Sequence, residues 1–165
     1  MNNSKGYIAE LNGYLHSLRR FRGAGYFYSA QSYDAKTSID QFVIETIAEW
    51  GENEEFQYLG KTEIKFEALE ERLSNIIFGG ALNLQNVESN ESKESIRKLV
   101  LEDINEYYGL ASTSLDSEGV FHPLISGPVY QLNIENKNYS NLFFYLVKIG
   151  NYYVLTSFTH RKHQI

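Results

Sequence analysis

The stretch 142-LFFYLVKIGNYYVLTSFT-159 decides how this 165-residue chain folds. Residues 142–149 are apolar on both alternating faces until Lys148, which predicts a central strand buried on both sides. Gly150-Asn151 then supplies a two-residue turn, with glycine taking the positive φ, and 152–159 returns antiparallel. Upstream, 129-VYQLNIE-135 alternates Tyr130, Leu132 and Ile134 against Gln131, Asn133 and Glu135. One wet face suggests an outer position in the sheet. The C-terminal third therefore reads as a three-strand antiparallel meander.

Ahead of the meander the period is helical. Tyr7, Leu11, Tyr14, Leu18 and Phe21 recur on one stripe, widened by Ile8 and Leu15, and Gly23 ends it. The segment 25-GYFYSAQSY-33 is too aromatic for a linker and reads as a short strand or ordered loop. A second helix opens at Ser38, where Gln41 completes a capping box, and buries Ile39, Phe42, Val43, Ile47 and Trp50 before Gly51. A third is expected from about Ile64, with Phe66, Leu69, Leu73, Ile76 and Ile77 inward, ending at Gly79-Gly80. After a polar loop over 83–92, a fourth places Ile96, Leu99, Val100, Ile104 and Tyr107 inward and closes at Gly109. Residues 110–128, which hold both prolines, read as irregular. The expected fold class is α+β: about four amphipathic helices in the N-terminal two thirds, packed on an antiparallel sheet that includes the meander. At this length, with 42% hydrophobic residues, one domain spanning 1–165 is expected.

The chain has no cysteine, which excludes a disulfide scaffold, a thiolate nucleophile and a cysteine-ligated metal. The first 21 residues hold no apolar core ahead of a small-residue cleavage site, and no stretch approaches the roughly 20 apolar residues of a spanning helix. A soluble, cytoplasmic protein without membrane attachment is the expectation. Phosphate-loop and dinucleotide glycine spacings are missing, and His16, His122, His160 and His163 show no metal-ligand spacing. No metal and no cofactor are therefore expected.

Charge is unevenly spread. Net charge is −6, yet residues 40–118 hold 18 acidic against 6 basic side chains, and both flanks are mildly basic. Such a block repels a phosphate backbone and attracts a basic protein, so nucleic acid is not an expected partner. Carboxylate pairs such as Glu54-Glu55, Glu70-Glu71 and Glu102-Asp103 also suit an ordinary solvated helix face.

Three functional readings follow. The C-terminal run 143-FFYLVKIGNYYVLTSFTHRKHQ-164 resembles the last hairpin of RelE-like ribosome-associated toxins, where an aromatic and basic residues follow a tight hairpin and act on RNA. That resemblance covers about a seventh of the chain and implies a ribonuclease in which His160, Arg161 and Lys162 serve phosphate chemistry. The same His160 also reads as a packed histidine at the rim of a core. In arrangement only, a long first helix, further helices and a curved aromatic sheet resemble the NTF2-like cone folds, which implies a small-molecule cavity lined by some of the 13 Tyr and 10 Phe.

The leading expectation is a non-enzymatic protein-binding module: an acidic bacterial immunity or inhibitor protein that neutralises a basic toxin such as a nuclease. Carboxylates that mimic phosphate would steer and occupy the toxin's cleft, with tyrosines as rigid anchors. The residues assigned to that role are Glu67, Glu70, Glu71, Glu102, Asp103 and Glu106, with Tyr107 or Tyr108 as anchors. A free outer strand could also accept a strand from the partner.

Overall fold

A computed structural model describes residues 4–19, 25–50, 55–65, 68, 69, 72, 73, 76, 90–111, 113–115, 121–123 and 129–162. In chain order the elements are α1 (Ser4–Arg19), β1 (Tyr26–Asp34), α2 (Ile39–Glu49), β2 (Gln57–Ile64), α3 (Asn90–Ala111), β3 (Thr113–Leu115), β4 (Phe121–Pro123), β5 (Val129–Glu135), β6 (Tyr139–Ile149) and β7 (Tyr152–Arg161). Five strands make one antiparallel sheet in the order β1-β7-β6-β5-β2, and β3 and β4 form a separate two-stranded ribbon. The α+β class is established by this sheet and its helices.

The β6–β7 hairpin runs in register from Ile149↔Tyr152 to Leu142↔Thr159, with Gly150 at φ +57 in the turn. Its alternation feeds two cores. On one side Tyr145, Val147, Val154 and Phe158 meet Ile8, Leu11, Leu15 and Leu18 of α1 and Val100, Ile104, Tyr108 and Ala111 of α3. On the other side Phe144, Leu146, Tyr153 and Leu155, with Leu132 and Ile134 of β5, meet Phe42 and Val43 of α2. A strand with a core on each face cannot afford polar alternation, which is why 142–149 reads as a continuous apolar run.

Two hydroxyl clusters tie elements together inside the first core. Tyr108 and Thr156, both 2% exposed, share a hydroxyl–hydroxyl hydrogen bond between α3 and β7. Burial pushes the Tyr108 phenol up to about 12, and the Thr156 bond acts against that shift. Ser4 donates to the Ala111 carbonyl and meets the Tyr152 hydroxyl, tying the first turn of α1 to the end of α3 and the start of β7. On the opposite face, the Ser38 hydroxyl caps α2 by accepting from the Gln41 N–H. Asp40 in the first turn of α2 accepts from Tyr58 at 2.7 Å and from Lys61 at 2.9 Å, both on β2. These two donors, Tyr58 first, hold the Asp40 carboxyl below its ordinary value.

Several expectations need correction. β5 is not an outer strand: it lies between β6 and β2, and its wet face reflects thinner helix cover rather than a free edge, since Asn133 and Glu135 are exposed. The outer strands are β1 and β2, and β2 was not anticipated at all. Three helices are described, and the count of about four is not reached among the described residues. Ile64, the expected start of a helix, ends β2. Ala68, Leu69, Arg72, Leu73 and Ile76 are helical, with Leu69 and Leu73 in the α1/α3 core, while Phe66, Ile77, Gly79 and Gly80 lie outside the described residues.

α3 begins within the expected loop and passes through Gly109 to Ala111. Its inward stripe is Val100, Ile104, Tyr108 and Ala111, which leaves Leu99 59% exposed instead of buried. The Gln41 side chain donates to Glu45 at 2.9 Å and so does not turn back to close the capping box. Among the described residues no helix is long and apolar enough to cross a membrane.

Candidate functional site

One outer surface is built by α1 and α3, which lie side by side on the sheet. Over about three turns of helix, Leu99, Glu102, Asp103, Glu106 and Leu110 of α3 fall on one face at i, i+3, i+4, i+7 and i+11. Glu102 and Glu106 are exposed, and Asp103 is half-buried. Tyr14 of α1 donates to Asp103 at 2.8 Å, and its ring tilts against Tyr107 with centroids 5.9 Å apart. Burial, then the Asp103 bond, raises the Tyr14 phenol well above its ordinary value, so it stays a donor. Glu102 has Lys98 one turn away at 3.9 Å, a loose and solvent-screened pair.

Of the residues assigned to partner binding, the structure brings together Glu102, Asp103, Glu106 and Tyr107. Tyr108 is removed from that surface, since it is 2% exposed and bonded to Thr156 in the core. Tyr107, next to it in the helix, is half-buried and stays at that surface. Glu67, Glu70 and Glu71 lie outside the described residues.

The basic C-terminal stretch is ordered strand as far as Arg161. The Arg161 N–H donates to the Gly25 carbonyl at 2.9 Å, and the Lys162 N–H to the Asn138 carbonyl at 2.8 Å. His160 stacks on Tyr26 with centroids 3.8 Å apart, and its Nδ1 sits 2.6 Å from the Ser140 hydroxyl. Arg161 holds its guanidinium over the Tyr139 ring at 5.8 Å. Strand alternation points His160 and Arg161 to opposite faces of the sheet, where each lines a different cavity. They do not converge on one phosphate, as the ribonuclease reading requires.

The two cavities flank the open end of the β1-β7-β6 surface. The one on the α1/α3 side, about 320 Å³, includes Tyr26, Arg72, Gln131, Asn141, Tyr145 and His160, and Arg72 donates to Gln131 there. The other, about 400 Å³, lies on the α2 side. Trp50 and Phe56 form one wall of it with Phe144 and Tyr139, above a floor of Ser29, Ser157 and Thr159. Sequence reasoning missed this site because its parts come from β1, the end of α2, the start of β2, β6 and β7; the one signal was the abundance of Tyr and Phe.

Among the described residues no group of three or more His, Cys, Asp or Glu could hold a metal ion. No protein-family model, no curated protein and no solved structure matches the chain. Function is therefore argued from geometry and charge.

Proposed function

We propose that this protein is a non-enzymatic, cytoplasmic binding module that engages a basic protein through the α1/α3 face, in the manner of a bacterial immunity protein neutralising a basic toxin such as a nuclease. The observation that carries the reading is the pairing of charge with order on α3. Glu102 and Glu106 are exposed beside Asp103, which Tyr14 fixes at 2.8 Å, and Leu99 stands 59% exposed on the same face. Exposed carboxylates accelerate encounter with a cationic cleft, while Tyr107, Tyr14 and Leu99 provide area that is worth burying.

Strand addition is the weaker route to a partner. The outward Ala30 N–H of edge strand β1 is already taken by the Asn12 side chain of α1 at 3.0 Å. Edge strand β2 carries an irregularity between Tyr58 and Gly60 and charged Lys61 and Glu63. Both devices discourage edge pairing.

The test is affinity capture from the native cell with the wild-type chain and a Glu102→Lys/Glu106→Lys variant, at low and high salt. A basic protein retained by the wild type at low salt, and released both by salt and by the double reversal, is the expected result. Capture of the same proteins by both chains, insensitive to salt, would sink the reading. Circular dichroism of the variant checks that the exposed substitutions leave the fold intact.

A further inference from the structure

β1 is an outer strand of the sheet, and its two hydrogen-bonding sides meet different surroundings. The Arg161 N–H donates to the Gly25 carbonyl at 2.9 Å and the Ala35 N–H to the Asn151 carbonyl at 3.0 Å, so the odd-numbered residues of this segment bond toward the β6–β7 hairpin. The even-numbered residues from Tyr26 to Asp34 therefore present their backbone groups to the open edge.

α1 reaches that edge with three side chains spaced seven residues apart. Arg19 donates to the Tyr26 carbonyl at 3.3 Å, Asn12 accepts from the Ala30 N–H at 3.0 Å, and Lys5 donates to the Asp34 carboxylate at 3.0 Å. A step of seven is about two helical turns, which keeps the row on one side of α1 while the strand positions advance by four. The row covers about 21 Å of helix and the three strand positions about 27 Å. A short asparagine in the middle, with a long lysine and arginine at the ends, takes up that difference. None of the three belongs to the buried apolar stripe of α1, which is Ile8, Leu11, Leu15 and Leu18.

Without the row, this edge suits a second copy of itself. An antiparallel β1–β1 pair about a two-fold axis at Ala30 sets the outward backbone groups of Tyr28 against those of Ser32, and Asp34 falls opposite Tyr26 instead of another carboxylate. Phe27, which is 50% exposed, would then face Tyr33 of the second copy on the α2 side of the sheet, an aromatic cross-strand pair formed twice.

We propose that Lys5, Asn12 and Arg19 form an edge guard: the row occupies the outward side of β1 and keeps the chain from joining a second copy edge to edge. Natural sheets need such protection wherever an outer strand is long enough to template another. The acidic residues of α3 take no part in the guard, so it stands or falls separately from the protein-binding surface.

Sedimentation velocity over a concentration series compares the full chain with its Lys5→Ala/Asn12→Ala/Arg19→Ala variant. The wild type should stay monomeric, and the triple variant should dimerise at concentrations at least about tenfold below any at which the wild type does. Adding Ser32→Pro removes an outward N–H but no ladder bond to β7, and should return the triple variant to a monomer. Asn12→Ala alone is the milder change and serves where three substitutions together loosen α1. Its Ala30 amide should exchange about ten- to hundredfold faster than in the wild type when dilute, and regain protection when concentrated. A triple variant that keeps the wild-type circular dichroism and stays monomeric, a dimer that Ser32→Pro does not dissolve, or Ala30 exchange in Asn12→Ala that is independent of concentration overturns the proposal.

Discussion

Tyr108→Phe removes one oxygen atom and tests how α3 is fastened to the sheet. Tyr108 and Thr156 are both 2% exposed, and their hydroxyls bond each other across the α1/α3 core. Near neutral pH the substitution leaves the Thr156 hydroxyl buried and short of a partner, which costs about 1–3 kcal/mol. Pairing it with Thr156→Val removes the stranded group, so the double variant should cost less than the sum of the singles by about 1 kcal/mol.

The same site fixes a dependence on pH. The Tyr108 phenol is raised from an ordinary 10.0 to about 12 by burial. Its contribution to stability is complete below pH 10 and is lost as pH rises through the folded value. At about pH 11 the unfolded chain has ionised and the folded chain has not, and on the order of 1 kcal/mol of wild-type stability has gone. Phenylalanine has no proton to lose, so the deficit of Tyr108→Phe shrinks by that amount between neutral pH and about pH 11. Tyr14, Tyr58 and Tyr152, also raised by burial, are common to both chains and cancel in the difference. Urea unfolding followed by circular dichroism at several pH values gives the numbers. A deficit independent of pH, or a double variant equal to the sum of the singles, would refute the argument.

Leu15, with 0% exposure between α1 and the sheet, should lose about 2–5 kcal/mol on Leu15→Ala by urea titration, whereas His16→Ala on the exposed side of the same turn should stay within about 0.5 kcal/mol. Gly25→Ala combines a φ of +87 with a Cβ placed 3.1 Å from the Arg161 carbonyl, so a loss of about 1–3 kcal/mol, read as a melting temperature lower by several degrees, is expected; an unchanged melting point would remove the strain argument.

The strongly periodic parts of this fold could be read from the chain. The β6–β7 hairpin has a continuous apolar run because two cores compete for its faces, and α1 and the Ser38 cap follow from spacing and side-chain chemistry alone. β2 was hidden because an outer strand with one loosely covered face needs few apolar residues, and Gln57, Gly60, Lys61, Thr62 and Glu63 have the look of a loop. The position of β5 was misread because the polarity of a strand reports on its faces, whereas being an edge concerns its hydrogen-bonding sides. On α3 the inward stripe could pass through Leu99 and Tyr107 or through Val100 and Tyr108, a rotation of one residue that only the packed neighbours decide. The acidic face was legible because Glu102, Asp103 and Glu106 are local in sequence. The aromatic groove was not, since Phe27, Trp50, Phe144 and Thr159 meet only through the sheet register.

The pairing of β1 with β7 joins Tyr26 to His160 and Asp34 to Tyr152. During synthesis, β1 must therefore wait for roughly 120 more residues before its partner exists, which at ribosomal speed is on the order of 6–25 seconds. Until Leu69, Leu73 and α3 are made, the apolar stripe of α1 has little beyond β1 to cover it. Asn12, holding the Ala30 N–H, gives that pair a local bond it can make early. The N-terminal end of the nascent chain is thus the part that waits longest for its final strand partner.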